Sequence, residues 1–282
     1  LIEFDAMVEV PGLTQWDGRT TKPHPVTGRP VPDEAARIPV YTYSNPRKAE
    51  WPQADYIVGN PPFIGAARMR DALGDGYTDT VRNVHSDVGE SSDFVMYWWN
   101  HAAGLLGARS GTSPTKRFGF VTTNSISQKF NRRVIERHIG GTPSSASADS
   151  GDAVPPHTGI SLIYAIPDHP WVDAADGAAV RIAMTAAEAG QAEGLLQTVA
   201  AETGSDSDGY EVTLSSKRGK LHPDLSIGAD LGSAVALTAN SLISSRGFEL
   251  GSNGFIVTRE QALNLGLGRI NGIENYIREY RN

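Results

Sequence analysis

Cysteine is absent from all 282 residues, which removes disulfide frameworks, thiolate zinc sites and cysteine nucleophiles in one step. The seven histidines are scattered without ligand-like spacing, so a metal enzyme is not expected. Long apolar runs are also missing. Stretches such as Tyr56 to Val58 and Phe118 to Val121 fall far short of the ~18 residues that cross a bilayer, so no membrane partner is expected. The opening Leu-Ile-Glu-Phe-Asp has no signal-peptide character, and a soluble, cytoplasmic chain is the expectation. Cations are in the minority: 25 Lys plus Arg against 32 Asp plus Glu give a net charge of -7, too acidic for nucleic acid to be held by bulk electrostatics. What is present is a 39% hydrophobic composition, enough to bury the core of one large or two smaller domains.

Along the chain, residues 8 to 53 are rich in Pro, Gly, Thr and Arg with no sustained hydrophobic period, and they read as a long irregular excursion between core strands. Ala54 to Gly59 is a short apolar run closed by a turn signal, the pattern of a buried strand in a parallel sheet. Helical spacing from Ser92 to Leu106, with Ser91 or Ser92 as N-cap, gives a helix. Arg117 to Thr123 reads as a second strand and Ser127 to His138 as a second, strongly basic helix. Residues 142 to 159 are small, polar and proline-rich, the composition of a flexible insertion. Ile160 to Ile166 and Ala178 to Thr185 read as an antiparallel pair at a sheet edge. A helix is expected near Ala187 to Glu202 and a strand near Tyr210 to Leu214. The alternation of strand and helix implies an α/β layered fold over 1–185, with an appended subdomain over 186–282.

Asn60-Pro61-Pro62-Phe63, directly after the first of these strands, is the constellation with a mechanistic reading. At the carboxyl end of a strand in a doubly wound sheet a loop faces the ligand crevice. Two prolines fix φ and hold Asn60 extended, so the loop is stiff. It offers the Asn60 side-chain carbonyl, the Pro61 backbone carbonyl and the Phe63 ring. Two acceptors beside an aromatic platform suit a planar ring bearing an exocyclic amino group.

Asp55-Tyr56-Ile57-Val58-Gly59-Asn60-Pro61-Pro62-Phe63 resembles the catalytic motif of S-adenosylmethionine-dependent DNA adenine-N6 methyltransferases, in which Asn or Asp is followed by Pro-Pro and Tyr or Phe. Ser92 to Trp99 and Arg117 to Gln128 are similar to the helix and strand after that motif in the large restriction-modification and phage-defence enzymes. Asn240 to Gly247 and Gly254 to Thr258 are similar to the segment leading toward their target-recognition domain. The resemblance implies a partial Rossmann-like methyltransferase sheet with helices on both faces and an appended α+β subdomain. It implies S-adenosylmethionine as cofactor and double-stranded DNA with a flipped adenine as partner. Asn60, Pro61, Pro62 and Phe63 would form the catalytic loop, with Asn60 and Pro61 accepting from the adenine amino group and Phe63 stacking on the base. Asp5, in Glu3-Phe4-Asp5-Ala6, would touch the cofactor, and Trp171 is a candidate for a second base-stacking aromatic.

The family's Gly-rich cofactor loop has no counterpart. Leu73-Gly74-Asp75-Gly76 carries a Gly-x-Gly, but downstream of the catalytic loop. The chain opens on Leu1 in or after a strand, so the expectation is a piece of a longer polypeptide whose cofactor pocket is incomplete here and whose other domains would be partners. Lys129, Arg132, Arg133 and Arg137 are either a solvated face or a phosphate-contacting one, while Lys217, Arg218 and Lys220 read as surface. Asp168-His169 reads as an ordinary loop pair. Two other functions fit the same residues: a protein glutamine methyltransferase sharing the motif's chemistry, and a non-catalytic DNA-binding or assembly fragment.

Overall fold

The computed structural model describes residues 1–106, 115–139, 159–171, 180–205, 209–229 and 256–278. The segment 142 to 159 expected as an insertion falls outside these but for residue 159, as does Asn240 to Gly247. Two compact units result: Leu1–Gly18 with Arg37–Ala234, and Arg19–Ala36 with Val235–Asn282.

In chain order the strands are β1 (Ile2–Glu3), β2 (Ala6–Trp16), β3 (Thr21–Pro23), β4 (Pro30–Pro32), β5 (Arg37–Ser44), β6 (Arg47–Lys48), β7 (Tyr56–Gly59), β8 (Arg117–Thr123), β9 (Ile160–Trp171), β10 (Val180–Ala189), β11 (Gly194–Ser205) and β12 (Gly209–Gly219). The helices are α1 (Met69–Leu73), α2 (Asp75–Val84), α3 (Val95–Leu106), α4 (Lys129–His138) and α5 (Arg259–Asn264).

The larger unit is built on a six-stranded mixed sheet in the order β12-β11-β9-β10-β8-β7. β7 and β8 are parallel, with Gly59 opposite Phe120. β10 runs antiparallel to both β8 and β9, and β9 is parallel to β11. β8 matches its expected span. Its alternation sends Phe118, Phe120 and Thr122 into the core, where Trp99 of α3 packs edge-on against Phe118 at 5.1 Å and donates its indole N–H to Thr185 Oγ1 at 3.3 Å. α3 is buried on most of its circumference, and α4 packs against it through Asn131, Val134, Ile135 and His138.

Several expectations are corrected. Residues 8 to 53 are not irregular: β2 and β5 form a long antiparallel ribbon. Its register shifts between Glu9 and Thr14, where Pro11 has no N–H to offer the ladder, and this break hides the period in the sequence. β9 and β10 do pair antiparallel, but centrally, because β11 and β12 extend the sheet beyond β9. The helix expected over Ala187 to Glu202 is the end of β10 and most of β11. Alanine-rich composition suggests helix, yet Ala187 and Leu196 are buried at strand positions and tertiary pairing overrides propensity. The proposed boundary at 186 accordingly falls inside β10. β7 is an edge strand among the described residues, not a buried one: Tyr56 is 61% and Val58 85% exposed.

In the smaller unit, β3 and β4 form a short hairpin with Lys22 paired to Asp33 at 3.3 Å. α5 opens on a capping box, Thr258 Oγ1 accepting from Gln261 N while Gln261 Oε1 accepts from Thr258 N.

Candidate active site

β7 delivers its carboxyl end directly into Asn60-Pro61-Pro62-Phe63. Asn60 is exposed, Pro61 buried, Pro62 exposed and Phe63 half-buried. Among the described residues neither the Asn60 amide nor the Pro61 carbonyl meets a protein donor. The Pro62 carbonyl instead accepts from Ile64 N at 3.1 Å, which turns the chain back toward α3.

That turn is fastened by Asp93. Phe94 N donates to the Ile64 carbonyl at 2.8 Å, and Asp93 Oδ1 accepts from Ala66 N at 3.1 Å. Asp93 Oδ2 accepts from Ser125 Oγ at 2.6 Å and from Asn131 Nδ2 at 2.8 Å, while Asn131 Oδ1 accepts from Asp93 N at 2.8 Å. Ser125 lies in the 3-10 turn Asn124–Ser127 that ends β8, and Asn131 in the first turn of α4. One carboxylate therefore joins the segment just after the Asn60–Phe63 loop, the start of α3, the end of β8 and the start of α4. Ser92 does not cap α3, which begins at Val95; its hydroxyl donates to the Phe130 carbonyl at 3.2 Å.

The sequence carries no signal of this role for Asp93. A carboxylate immediately before an apolar helix reads as an ordinary cap signal, and only the fold brings Ala66, Ser125 and Asn131 to it.

The other candidate residues are not among the hydrogen-bond partners of Asp93. Asp5 is at the head of the β2/β5 ribbon, with Oδ2 accepting from Asn45 at 2.9 Å and Oδ1 from Arg47 at 3.1 Å. The Asn45 bond, then the Arg47 bond, hold its carboxyl below the usual range, so the charge is already neutralised by a protein cation. Trp171 ends β9 opposite Val180, 36% exposed. β9 lies three strands from β7, roughly 14 Å across the sheet, so Trp171 shares the sheet end with Asn60 without lying beside Phe63. Around it, Arg181 bridges Asp168 at 2.7 Å and Glu202 at 2.7 Å, and Asn124 Nδ2 reaches Asp168 at 3.2 Å. On α4, Arg132 is held by Glu136 at 2.8 Å, while Lys129, Arg133 and Arg137 make no ion pair among the described residues. Lys217 is structural, donating to the Ile227 carbonyl at 3.1 Å.

Gly74 and Gly76 have a packing role. Gly74 sits at φ 87° as the N-cap of α2, where Gln15 Oε1 accepts from Asp75 N at 2.7 Å. A Cβ on Gly76 would stand 1.7 Å from the Tyr41 carbonyl oxygen. The Gly-x-Gly is thus where α2 meets the backbone of β5.

Residues 20–139, spanning the loop, the Asp93 hub and α4, match the family model described as MmeI, DNA-methyltransferase domain. Over this segment the chain is similar to a DNA-methyltransferase domain of the restriction-modification type. No curated protein matches the chain. Solved structures similar to it include the Type IIL restriction-modification enzyme MmeI in complex with DNA, at 20% identity and TM-score 0.43 over 62% of this chain and 20% of that one. A modification subunit of a putative type I restriction enzyme from Vibrio vulnificus YJ016 follows at 14% identity and TM-score 0.35, over 54% of this chain and 26% of that one. A type I R-M system component gives 11% and 0.25, over 52% and 24%. The chain therefore spans about a quarter or less of the length of the MmeI and type I proteins it aligns with.

Proposed function

We propose that the methyltransferase segment acts on the N6 amino group of an adenine flipped out of double-stranded DNA, with S-adenosylmethionine as methyl donor. The observation that carries this reading is a pair of acceptors without protein donors among the described residues, Asn60 Oδ1 and the Pro61 carbonyl, on a proline-stiffened loop next to Phe63. An exocyclic amino group donates both hydrogens to such a pair, which leaves its lone pair directed out of the ring plane toward an electrophile. Phe63 supplies the face on which the extruded base stacks. No covalent base adduct is required, which agrees with the lack of cysteine.

S-adenosylmethionine supplies an electrophilic methyl group when bound. The described residues account for the base side of the reaction better than for the donor side. Asp5, the residue expected to touch the cofactor, already has both oxygens engaged by Asn45 and Arg47. We therefore assign the donor no contact residue in this chain.

The test is methyl transfer from labelled S-adenosylmethionine to duplex DNA by the full-length protein, with the product digested to nucleosides. Label should appear as N6-methyl-2′-deoxyadenosine, and Asn60→Ala should lower the rate roughly 10²-fold, the scale of losing one positioned polar contact to the reacting group. Label recovered in peptides would move the substrate from DNA to protein glutamine. Undiminished transfer by the variant would remove Asn60 from the chemistry.

A further inference from the structure

The first turn of α4 combines features that the catalytic loop does not use. Phe130 is 51% exposed although its backbone is anchored, its carbonyl accepting from Ser92 Oγ beside the Asp93 hub. The Arg133 guanidinium lies over the Phe130 ring at 5.9 Å from its centroid. Lys129, Arg133 and Arg137 recur at every fourth position on the exposed side of the helix, opposite the buried Asn131, Val134, Ile135 and His138. Over eight residues this stripe runs about 12 Å. Arg132 does not belong to it, since Glu136 neutralises it. In a chain of net charge -7, three cations without an ion pair among the described residues, on one helix face around an exposed aromatic ring, form a local exception that suits an anionic, partly aromatic partner.

We infer that this face of α4 is a DNA-contact surface, in which Lys129, Arg133 and Arg137 hold phosphates and Phe130 stacks on a base exposed next to the extruded adenine. The inference rests on the function proposed above for the Asn60 loop. Charge complementarity selects a polyanion. The exposed ring selects one with unstacked bases over a plain phosphate surface, because stacking on an aromatic face tolerates any base. Position selects the neighbourhood of the reaction: the Phe130 carbonyl and Asn131 are bonded to the same Ser92-Asp93 pair that fastens the loop after Phe63. Extrusion of a base leaves its neighbours unstacked, and a ring held at a fixed distance from the catalytic loop can cover one of them.

Fluorescence anisotropy with a fluorescein-labelled short duplex carrying one unpaired adenine, titrated at several salt concentrations, tests this. Lys129→Gln and Arg133→Gln should each reduce the slope of log affinity against log salt by about 0.9, one phosphate apiece. Phe130→Ala should weaken binding about tenfold with the slope unchanged, and by less on a fully paired duplex. Arg132→Gln and Arg218→Gln should change neither quantity. Because all these side chains are partly or fully exposed, a thermal melt of each variant separates binding from folding. The inference is overturned if the chain does not bind the duplex, or if Phe130→Ala and Arg133→Gln bind it as the parent does. Loss of binding in these variants alongside full methylation by Asn60→Ala would retain this surface and discard the proposed chemistry. Normal binding by the stripe variants alongside an inactive Asn60→Ala would do the reverse.

Discussion

At the scale of single residues the Asn60–Phe63 loop depends on a carboxylate that touches no proposed substrate atom. The prolines at 61 and 62 limit the loop's own freedom but cannot fix its direction relative to β8 and α4. Asp93 does so, with Oδ1 on Ala66 N and Oδ2 shared by Ser125 and Asn131. Asp93→Ala leaves Ala66 N without its acceptor and reduces Ser125 and Asn131 to their remaining partners, Thr123 Oγ1 and the Ser125 carbonyl, in a part-buried site, and should cost about 1–3 kcal/mol of stability. The decisive readout is local. Amide exchange at Ala66 and Phe94 should accelerate more than exchange in β8. An unchanged rate at Ala66 would mean that the prolines hold the loop unaided. Asp93→Asn keeps an acceptor for Ala66 but turns an amide N–H₂ toward Ser125 and Asn131, so it should fall between the parent and the alanine variant.

At the scale of elements, two glycines in helices make opposite predictions. By intrinsic propensity alone, alanine at Gly76 in α2 or Gly104 in α3 should each stabilise by ~1 kcal/mol. Gly104 meets nothing within 4 Å of an added Cβ, and there the gain should be measured. At Gly76 the added carbon would overlap the Tyr41 carbonyl oxygen, so α2 must retreat from β5 and the change should instead destabilise by roughly 1–3 kcal/mol. Parallel thermal melts with opposite shifts would confirm that the Gly-x-Gly is a close approach of helix and ribbon. A stabilised Gly76→Ala would refute it. The same contrast explains what was legible in the sequence. β8, α3 and α4 are readable because their apolar spacing is regular, and the Asn60 to Phe63 loop because its residues carry their chemistry locally. β2 and β5 are not, since Pro11 interrupts the ladder and the pairing spans more than twenty residues. β11 is not, because an alanine-rich segment becomes a strand only when β9 offers it a parallel edge. The Asp93 hub is hidden for the same reason as the ribbon: its partners lie about thirty residues away on either side.

At the scale of the whole molecule, a polar chain ties the elements of the larger unit together. Lys48 bonds Asp87 at 2.9 Å, Asp87 accepts from Asn100 at 2.6 Å, and Asn100 Oδ1 lies 2.8 Å from His138 Nε2. Beside it, His85 is fully buried with Nε2 on the Leu1 carbonyl, and His101 stacks on Trp51 at 4.3 Å, its ring 6.0 Å from His85. Burial first, then His85 and Lys48, push His101 down to about 4, and burial likewise lowers His85. Both rings are thus held neutral at pH 7. For Asp87, burial alone would raise the carboxyl, but the bonds from Asn100 and Lys48 outweigh it and bring it down to about 2. The signs combine in acid. Between the ordinary histidine value near 6.5 and about 4, the unfolded chain takes up a proton on His101 that the folded one refuses, so stability falls as pH falls. From about 4 toward 2 the Asp87 contribution is lost in turn. Allowing for the partial exposure of His101, the first window should lower the melting temperature by roughly 2–4 °C between pH 7 and 4.5, the shift that ~1 kcal/mol gives at this size. His101→Gln should flatten that window and leave the lower one in place. Should the variant melt with the same slope between pH 7 and 4.5 as the parent, the acid sensitivity belongs to other groups, His85 among them, and His101 is not its source.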